Sequence, residues 1–177
     1  KGCGVNYLVT QKIFWSYNEG EQFPYHYFTW QGMDGSEIDS FLPTSYTYRT
    51  HPSEVNKIWK NRVQVQDLDA FLLPFGYGDG GGGPARDFIE SAKRQEDLEG
   101  GVKVKMAGPL EFFHDMEAQG GPANTYVGEL YFSAHRGTYT SQAMVKQNNR
   151  RCELALREME MWSTLAMNKG MAYDFSK

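Results

Sequence analysis

Long apolar runs are absent from this sequence of 177 residues. None approaches the roughly 18–20 residues that a membrane-spanning helix requires, so no membrane partner is expected. Charge of one sign is also scarce. The net charge is −4, and bases alternate with acids, as in Lys93-Arg94-Gln95-Glu96-Asp97. A nucleic-acid partner would need a clustered basic patch, and none is present. Cysteine is limited to Cys3 and Cys152. They lie far apart, without CxxC spacing, so reduced thiols in a reducing compartment are expected, with one long-range disulfide as the alternative. Neither a signal peptide nor an initiator Met stands before Lys1-Gly2-Cys3-Gly4, so the chain is expected to begin within a longer protein or after processing.

What is abundant is aromatic: 4 Trp, 11 Tyr and 11 Phe. Such rings build ordinary cores, and they also stack on the C–H faces of sugars. Along the chain, Val5–Thr10 and the aromatic Tyr25–Trp30 read as strands, the second leaving through Gly32-Met33-Asp34-Gly35-Ser36. Residues 41–52, with Pro43 and Pro52, read as loop. Ser53 is an N-cap candidate for a helix to about Val65, with Val55, Ile58, Trp59 and Arg62/Val63 on one face. Asp69–Phe75 is a continuous apolar run, expected as a strand buried on both faces. After the glycines, Pro84 opens a helix carrying Phe88, Ile89 and Ala92. Val102–Met106 alternates like a strand, and Pro109–Ala118 reads as a helix.

That rhythm predicts an α/β fold with a parallel sheet, part of a barrel. It stops at Gly120-Gly121-Pro122, after which Glu129–Ala134 reads as a short extended segment. A single helix is expected from about Thr140 to Asn168, with Cys152, Ala155, Met159, Trp162 and Ala166 as its buried stripe. Its methionines, Met144, Met159, Met161 and Met167, are expected to pack. Two domains follow, with a boundary near 122: residues 1–122, part of an α/β barrel, and residues 123–177, whose long helix suits a helical bundle.

Three segments could carry chemistry. Phe75–Pro84 is a glycine run with one carboxylate, Asp79. It lacks the Lys-Ser/Thr of a phosphate loop and the alternating carboxylates of a calcium loop. It joins a strand to a helix, where active-site loops of αβ barrels lie. Asp79 is either an acid/base or a residue that caps the loop. Gly128–Gln142 holds one histidine, His135, which is either a metal ligand or a structural imidazole. Zinc needs at least three protein ligands, and no HxH or HExxH pairing occurs anywhere in the chain. Phe28–Ser36 is either a sugar-binding edge or a core strand with a tight exit. His26, His51 and His114 stand alone and are assigned no role.

Together, the strings PFGYGDGGGGP, FTWQGMDGS and GELYFxxHRGTYTSQ resemble the signature segments of glycoside hydrolase family 38, in the family's order and across nearly the whole chain. The resemblance implies a retaining, zinc-dependent α-mannosidase of the intracellular bacterial, fungal-vacuolar type rather than the Golgi type, expected in the cytoplasm, with residues 1–122 as the C-terminal part of its catalytic α/β barrel and residues 123–177 as the start of a middle three-helix-bundle domain. It implies that Asp79 is the general acid/base and His135 the late zinc ligand. Asp34, Trp30, Tyr77, Arg136 and Tyr139 would line the sugar site. One departure is visible: Phe41 stands where the family usually has a histidine after DGS. The His-x-Asp pair and the nucleophile expected of the family are not found in this chain. The remainder of the parent enzyme is therefore the expected partner, with a mannose-containing oligosaccharide as substrate and a homo-oligomer as the parent's state. The rival reading is a non-catalytic carbohydrate-binding or scaffold relative.

Overall fold

The computed structural model describes residues 3–15, 21–79, 81–130, 132, 134–135 and 142–172. Contacts divide the chain into two compact units, Lys1–Ser133 and Ala134–Lys177. The first is a mixed α/β unit; the second is dominated by one helix.

The first unit is organised on four strands in the order β1-β3-β2-β4. They are β1 (Tyr7–Val9), β2 (Tyr27–Gln31), β3 (Glu37–Phe41) and β4 (Thr125–Val127). The sheet is mixed where a parallel one was expected. β1 runs parallel to β3 and β4 parallel to β2, but β2 and β3 form an antiparallel hairpin. The reason lies in the turn at 32–36. Gly35 adopts φ 78°, and the Gly32 N–H donates to the Ser36 carbonyl at 2.8 Å, so the chain reverses directly. β4 lies beyond the expected domain boundary at 122 and pairs with β2, so the sheet extends past the Gly120-Gly121-Pro122 break.

Register decides which rings reach the core. Tyr27 faces Phe41 across the hairpin, and with Leu68, Phe112, Phe113 and Met116 these two form one buried cluster. Tyr7 stacks on Phe113 with centroids 4.4 Å apart. The opposite face takes Phe28, which packs with Ile13, Phe23 and Leu42. Each buried aromatic side chain contributes on the order of 2–3 kcal/mol by burial. The Tyr27 hydroxyl is buried without a hydrogen-bond partner among the described residues. Burial, then the nearby Asp39 and Glu117 carboxylates, push that phenol well above its ordinary pKa.

Among the described residues the first unit carries α1 (Lys12–Trp15), α2 (Pro52–Lys60), α3 (Arg86–Arg94) and α4 (Pro109–Ala118), and the second carries α5 (Ala143–Asn168). α2 begins one residue before the expected cap, with His51 at the N-cap position and Pro52 at its start. It stops at Lys60 rather than near Val65. Arg62 explains the early stop: it lies over the Trp59 ring, and its guanidinium donates to the carbonyls of Trp59, Val65 and Leu68. Gln64, freed from the helix, then turns inward. Its side-chain carbonyl accepts from the His26 and Tyr27 N–H groups at 2.7 Å each, and its amide donates to the Tyr27 carbonyl at 2.9 Å. A buried glutamine side chain thus continues the ladder where β2 begins.

Two expected strands are not strands. Asp69–Phe75 is irregular and, beyond the exposed Asp69, half-buried, and its only ladder contact among the described residues is a single bridge from Phe75 to Tyr48. Val102–Met106 forms none, although the Val104 N–H donates to the Gln95 carbonyl. A cavity of about 690 Å³ borders both stretches, lined also by Val55, Ile58, Trp59, Phe112 and Met116. A strand requires a neighbouring backbone to bond to along its length, and among the described residues only Tyr48 and Gln95 offer these two stretches backbone bonds.

α5 is continuous over 26 residues, but none of them is buried. The stripe expected to be buried is exposed, with Trp162 at 69% and Met159 at 41%. Met144, Met161 and Met167 are likewise exposed rather than packed. No helix among the described residues is long and apolar enough to cross a membrane. Cys3 and Cys152 are free thiols, both exposed.

Candidate functional site

The glycine run folds as a tight hairpin. The Tyr77 N–H donates to the Gly83 carbonyl at 2.8 Å, and the two residues form an antiparallel bridge. Gly76 could be nothing else: its φ is 128°, and a Cβ there would meet the backbone of Gly83 at 2.9 Å. The crown carries Asp79, the only non-glycine residue with positive φ, at 53°, among the described residues. A short polar side chain tolerates that left-handed conformation better than most. Asp79 is exposed. Tyr77 is 57% exposed, and its ring packs on Phe88 of α3 at 5.4 Å.

The hairpin leans on residues 44–48, which sequence reasoning left as featureless loop. The Tyr48 N–H donates to the Pro74 carbonyl, and the Gly76 N–H donates to the Tyr48 carbonyl, each at 3.2 Å. Tyr48 is itself anchored: it is buried, and its hydroxyl bonds the backbone N–H and the hydroxyl of Thr44. Burial raises the Tyr48 phenol pKa, so this anchor stays protonated. Tyr46 ties the same segment to the sheet, its hydroxyl donating to Thr10 Oγ1 at 3.1 Å and accepting from the Gln11 N–H at 3.0 Å. The signal that could have found this segment is the Tyr46-Thr47-Tyr48 triplet, strand-like in composition between two prolines.

Residues 42–48 follow the C-terminal end of β3, and Thr10 follows β1 beside it. The Asp34 turn sits at the other end. It precedes β3, and the five residues of that strand rise about 14 Å from first to last. Asp34 and Asp79 therefore belong to opposite ends of the same strand, and the structure does not bring them together. Asp34 is engaged locally, accepting from the Ser36 N–H and hydroxyl at 3.0 Å each. The backbone bond, then the hydroxyl, holds its carboxyl below the ordinary carboxylate range. Trp30 is partly buried, and its indole N–H donates to the Gly128 carbonyl at 2.7 Å, so it ties the end of β4 to β2.

His135 is exposed and lies in the second unit, just before α5. Arg136 and Tyr139 lie outside the described residues. Among the described residues, no group of three or more His, Cys, Asp or Glu side chains could hold a metal ion. The other histidines keep bland places. His26 is buried between Phe14, stacked at 4.6 Å, and Phe71, edge-on at 4.9 Å, with Nδ1 2.7 Å from the Leu42 carbonyl. His51 stands at the N-cap position of α2 without a side-chain capping bond, and His114 lies on α4, edge-on to Tyr7.

Sequence comparison places this hairpin and the segment around His135 in a known setting. Residues 1–129 match the model of the glycosyl hydrolases family 38 N-terminal domain. Residues 133–177 match that of the alpha mannosidase middle domain. Over 97% of its length the chain is 36% identical to Alpha-mannosidase 2C1 of Homo sapiens, of which it spans 16%. Over 89% it is 39% identical to Alpha-mannosidase G of Dictyostelium discoideum, spanning 14% of that protein. Over 89% it is 34% identical to the Alpha-mannosidase of Saccharomyces cerevisiae, spanning 15%. The exposed carboxylate on a glycine hairpin thus lies within a domain match that takes in nearly three-quarters of the sequence: the chain belongs to glycosyl hydrolase family 38.

Proposed function

We propose that this chain is part of a retaining, zinc-dependent α-mannosidase that removes terminal α-linked mannose from glycans, with Asp79 as its general acid/base. One observation carries the reading: an exposed carboxylate held in left-handed backbone on a glycine hairpin, inside the segment matched by the family 38 N-terminal domain. The hairpin gives the carboxyl a fixed position while leaving the space above it open to a sugar. A retaining glycosidase needs a second carboxylate about 5–5.5 Å from the first, acting as nucleophile. Asp79 would deliver its proton to the glycosidic oxygen as the leaving group departs, then take one from the water that hydrolyses the glycosyl–enzyme. The nucleophile belongs to the remainder of the parent, since the chain spans about one-sixth of its relatives.

His135 fits one zinc ligand by its chemistry, an exposed imidazole at the end of a matched domain. A zinc site needs at least three protein ligands, so the others must come from elsewhere in the parent. When bound, the ion supplies a Lewis acid for the sugar hydroxyls at C2 and C3. Tyr77 offers an exposed ring beside the acid, a surface suited to a pyranose face. Trp30, Asp34, Arg136 and Tyr139 remain proposed sugar contacts by resemblance, although Asp34 reaches any common cleft only from the far end of β3. The proposed architecture is an α/β barrel followed by a bundle opened by α5, in a cytoplasmic homo-oligomer.

The test uses the full-length parent. Asp79→Asn is expected to lower turnover of an α-mannoside by about 10²-fold or more, as loss of a general acid does. His135→Ala is expected to lower bound zinc, read by metal analysis, together with activity. Unchanged turnover in both variants would remove Asp79 and His135 from the mechanism, and a full-length parent with no turnover at all would favour the non-catalytic, carbohydrate-binding relative instead.

A further inference from the structure

The five described glycines around the crown, Gly76, Gly78, Gly81, Gly82 and Gly83, are not glycine for one reason. Gly81 and Gly83 have φ of 72° and 61°, which penalise any side chain, although the space beside each is open. Gly76 is excluded twice, by φ and by the Gly83 backbone. Gly82 has an ordinary φ, but a Cβ there would meet the Cβ of Tyr77, an atom fixed to the hairpin's own backbone, at 2.8 Å. Gly78 differs in being blocked by a side chain from outside the hairpin. Its φ lies outside the left-handed region, so its backbone would accept an alanine, and the one close obstacle to a Cβ is Thr47 Cγ2 at 2.5 Å.

That methyl is not easily moved. Threonine is stiff about χ1, and the Thr47 N–H donates to Ser45 Oγ at 3.0 Å. Its own hydroxyl lies 3.2 Å from the same oxygen, so rotation would give up that contact. The next residue, Tyr48, is the buried anchor that bridges to Phe75. Gly78 in turn precedes Asp79 directly.

We infer that Thr47 is a positioning residue for Asp79: its γ-methyl, seated against Gly78, fixes the crown of the hairpin and with it the direction of the carboxyl. The inference rests on the reading of Asp79 as the general acid/base. A steric contact that sets a proton donor's position has a kinetic signature that a general stability effect lacks. Displacement by about 1 Å can cost a catalytic group on the order of 10²-fold, and here the loss should fall on proton delivery alone. An alkyl α-mannoside, whose leaving group must be protonated, should feel it. A 2,4-dinitrophenyl α-mannoside, whose leaving group departs as an anion, should not.

The experiment compares Gly78→Ala, Thr47→Ser, Thr47→Val and the double variant Gly78→Ala/Thr47→Ser in the full-length parent, with kcat/KM for both substrates. Gly78→Ala, which drives a methyl into Thr47, is expected to lose about 10-fold or more on the alkyl mannoside and little on the dinitrophenyl one. Thr47→Ser removes the obstructing methyl and should lose about threefold on the alkyl substrate only, whereas Thr47→Val keeps the methyl and should match the parent. The double variant places one methyl where one was removed and should recover most of the loss. Additive losses in the double variant, or equal losses on both substrates, overturn the inference. Because Thr47→Ser and Thr47→Val leave the glycine in place, they decide the matter even if Gly78→Ala folds poorly. Asp79→Asn runs alongside. If it turns over the alkyl mannoside normally, the acid/base reading has failed; if it is impaired while the Thr47 series shows no rescue, only the positioning role has failed.

Discussion

α4 and α5 present the same kind of apolar stripe with opposite outcomes. α4, ten residues long, buries Phe112, Phe113 and Met116 against Tyr27, Phe41 and Leu68. α5, 26 residues long, buries none of its residues, and Trp162 stands 69% exposed. A stripe states that a helix has an apolar face to cover; it does not state that the cover lies in the same chain. The same contrast separates β2, paired on both edges, from Asp69–Phe75, which has a strand's composition and one bridge. Local pattern fixes what an element can be, and the available partners fix what it becomes.

The comparison can be broken most forcefully in the core. Phe113→Ala in this chain should cost about 3–5 kcal/mol of unfolding free energy in a urea titration, because it opens a cavity under stacked Tyr7. Trp162→Ala, on the uncovered stripe of α5, should stay within about 0.5 kcal/mol in the same assay. Comparable losses at the two positions would mean that α5 already packs as a core helix does. Gln64→Ala should fall between them, at about 1–3 kcal/mol, since it strands the buried N–H groups of His26 and Tyr27.

The smallest expected effect is a pH dependence. Burial, then the nearby Arg62 charge, lowers the pKa of His26 below its ordinary value, against the opposing bond to the Leu42 carbonyl. The unfolded chain then binds this proton more readily than the folded one. The stabilising contribution is full above the ordinary histidine range and declines as pH falls through it toward the folded value. Thermal unfolding of the parent chain should lose stability over that interval, and His26→Phe should flatten the dependence. A steeper loss on the alkaline side would contradict the assignment.

How much of this was legible depended on whether the signal was local. α4 was readable to the residue, since Pro109 starts it and Gly120-Gly121 ends it. The glycine run and its single carboxylate were legible only as a loop, because glycine reports backbone freedom but not the bridge that pairs Tyr77 with Gly83. β3 was not, for Glu37-Ile38-Asp39-Ser40 offers one aliphatic residue, and its strand state comes from the tight reversal at 32–36 and from pairing with β1 and β2. The early stop of α2 was hidden in Arg62, whose bonds to three carbonyls no periodicity reveals. The support under Asp79 escaped for the same reason: Thr47 and Gly78 are far apart in sequence and meet only in the fold.

A lone carboxylate and a lone imidazole can serve a glycosidase without being one. Purified residues 1–177, supplied with zinc and an aryl α-mannoside, test that division of labour. No turnover above the buffer blank is the predicted result, with activity returning in the full-length parent. Steady hydrolysis by the isolated chain, abolished by Asp79→Asn, would show that the nucleophile and the metal shell lie within these residues and would contradict the account.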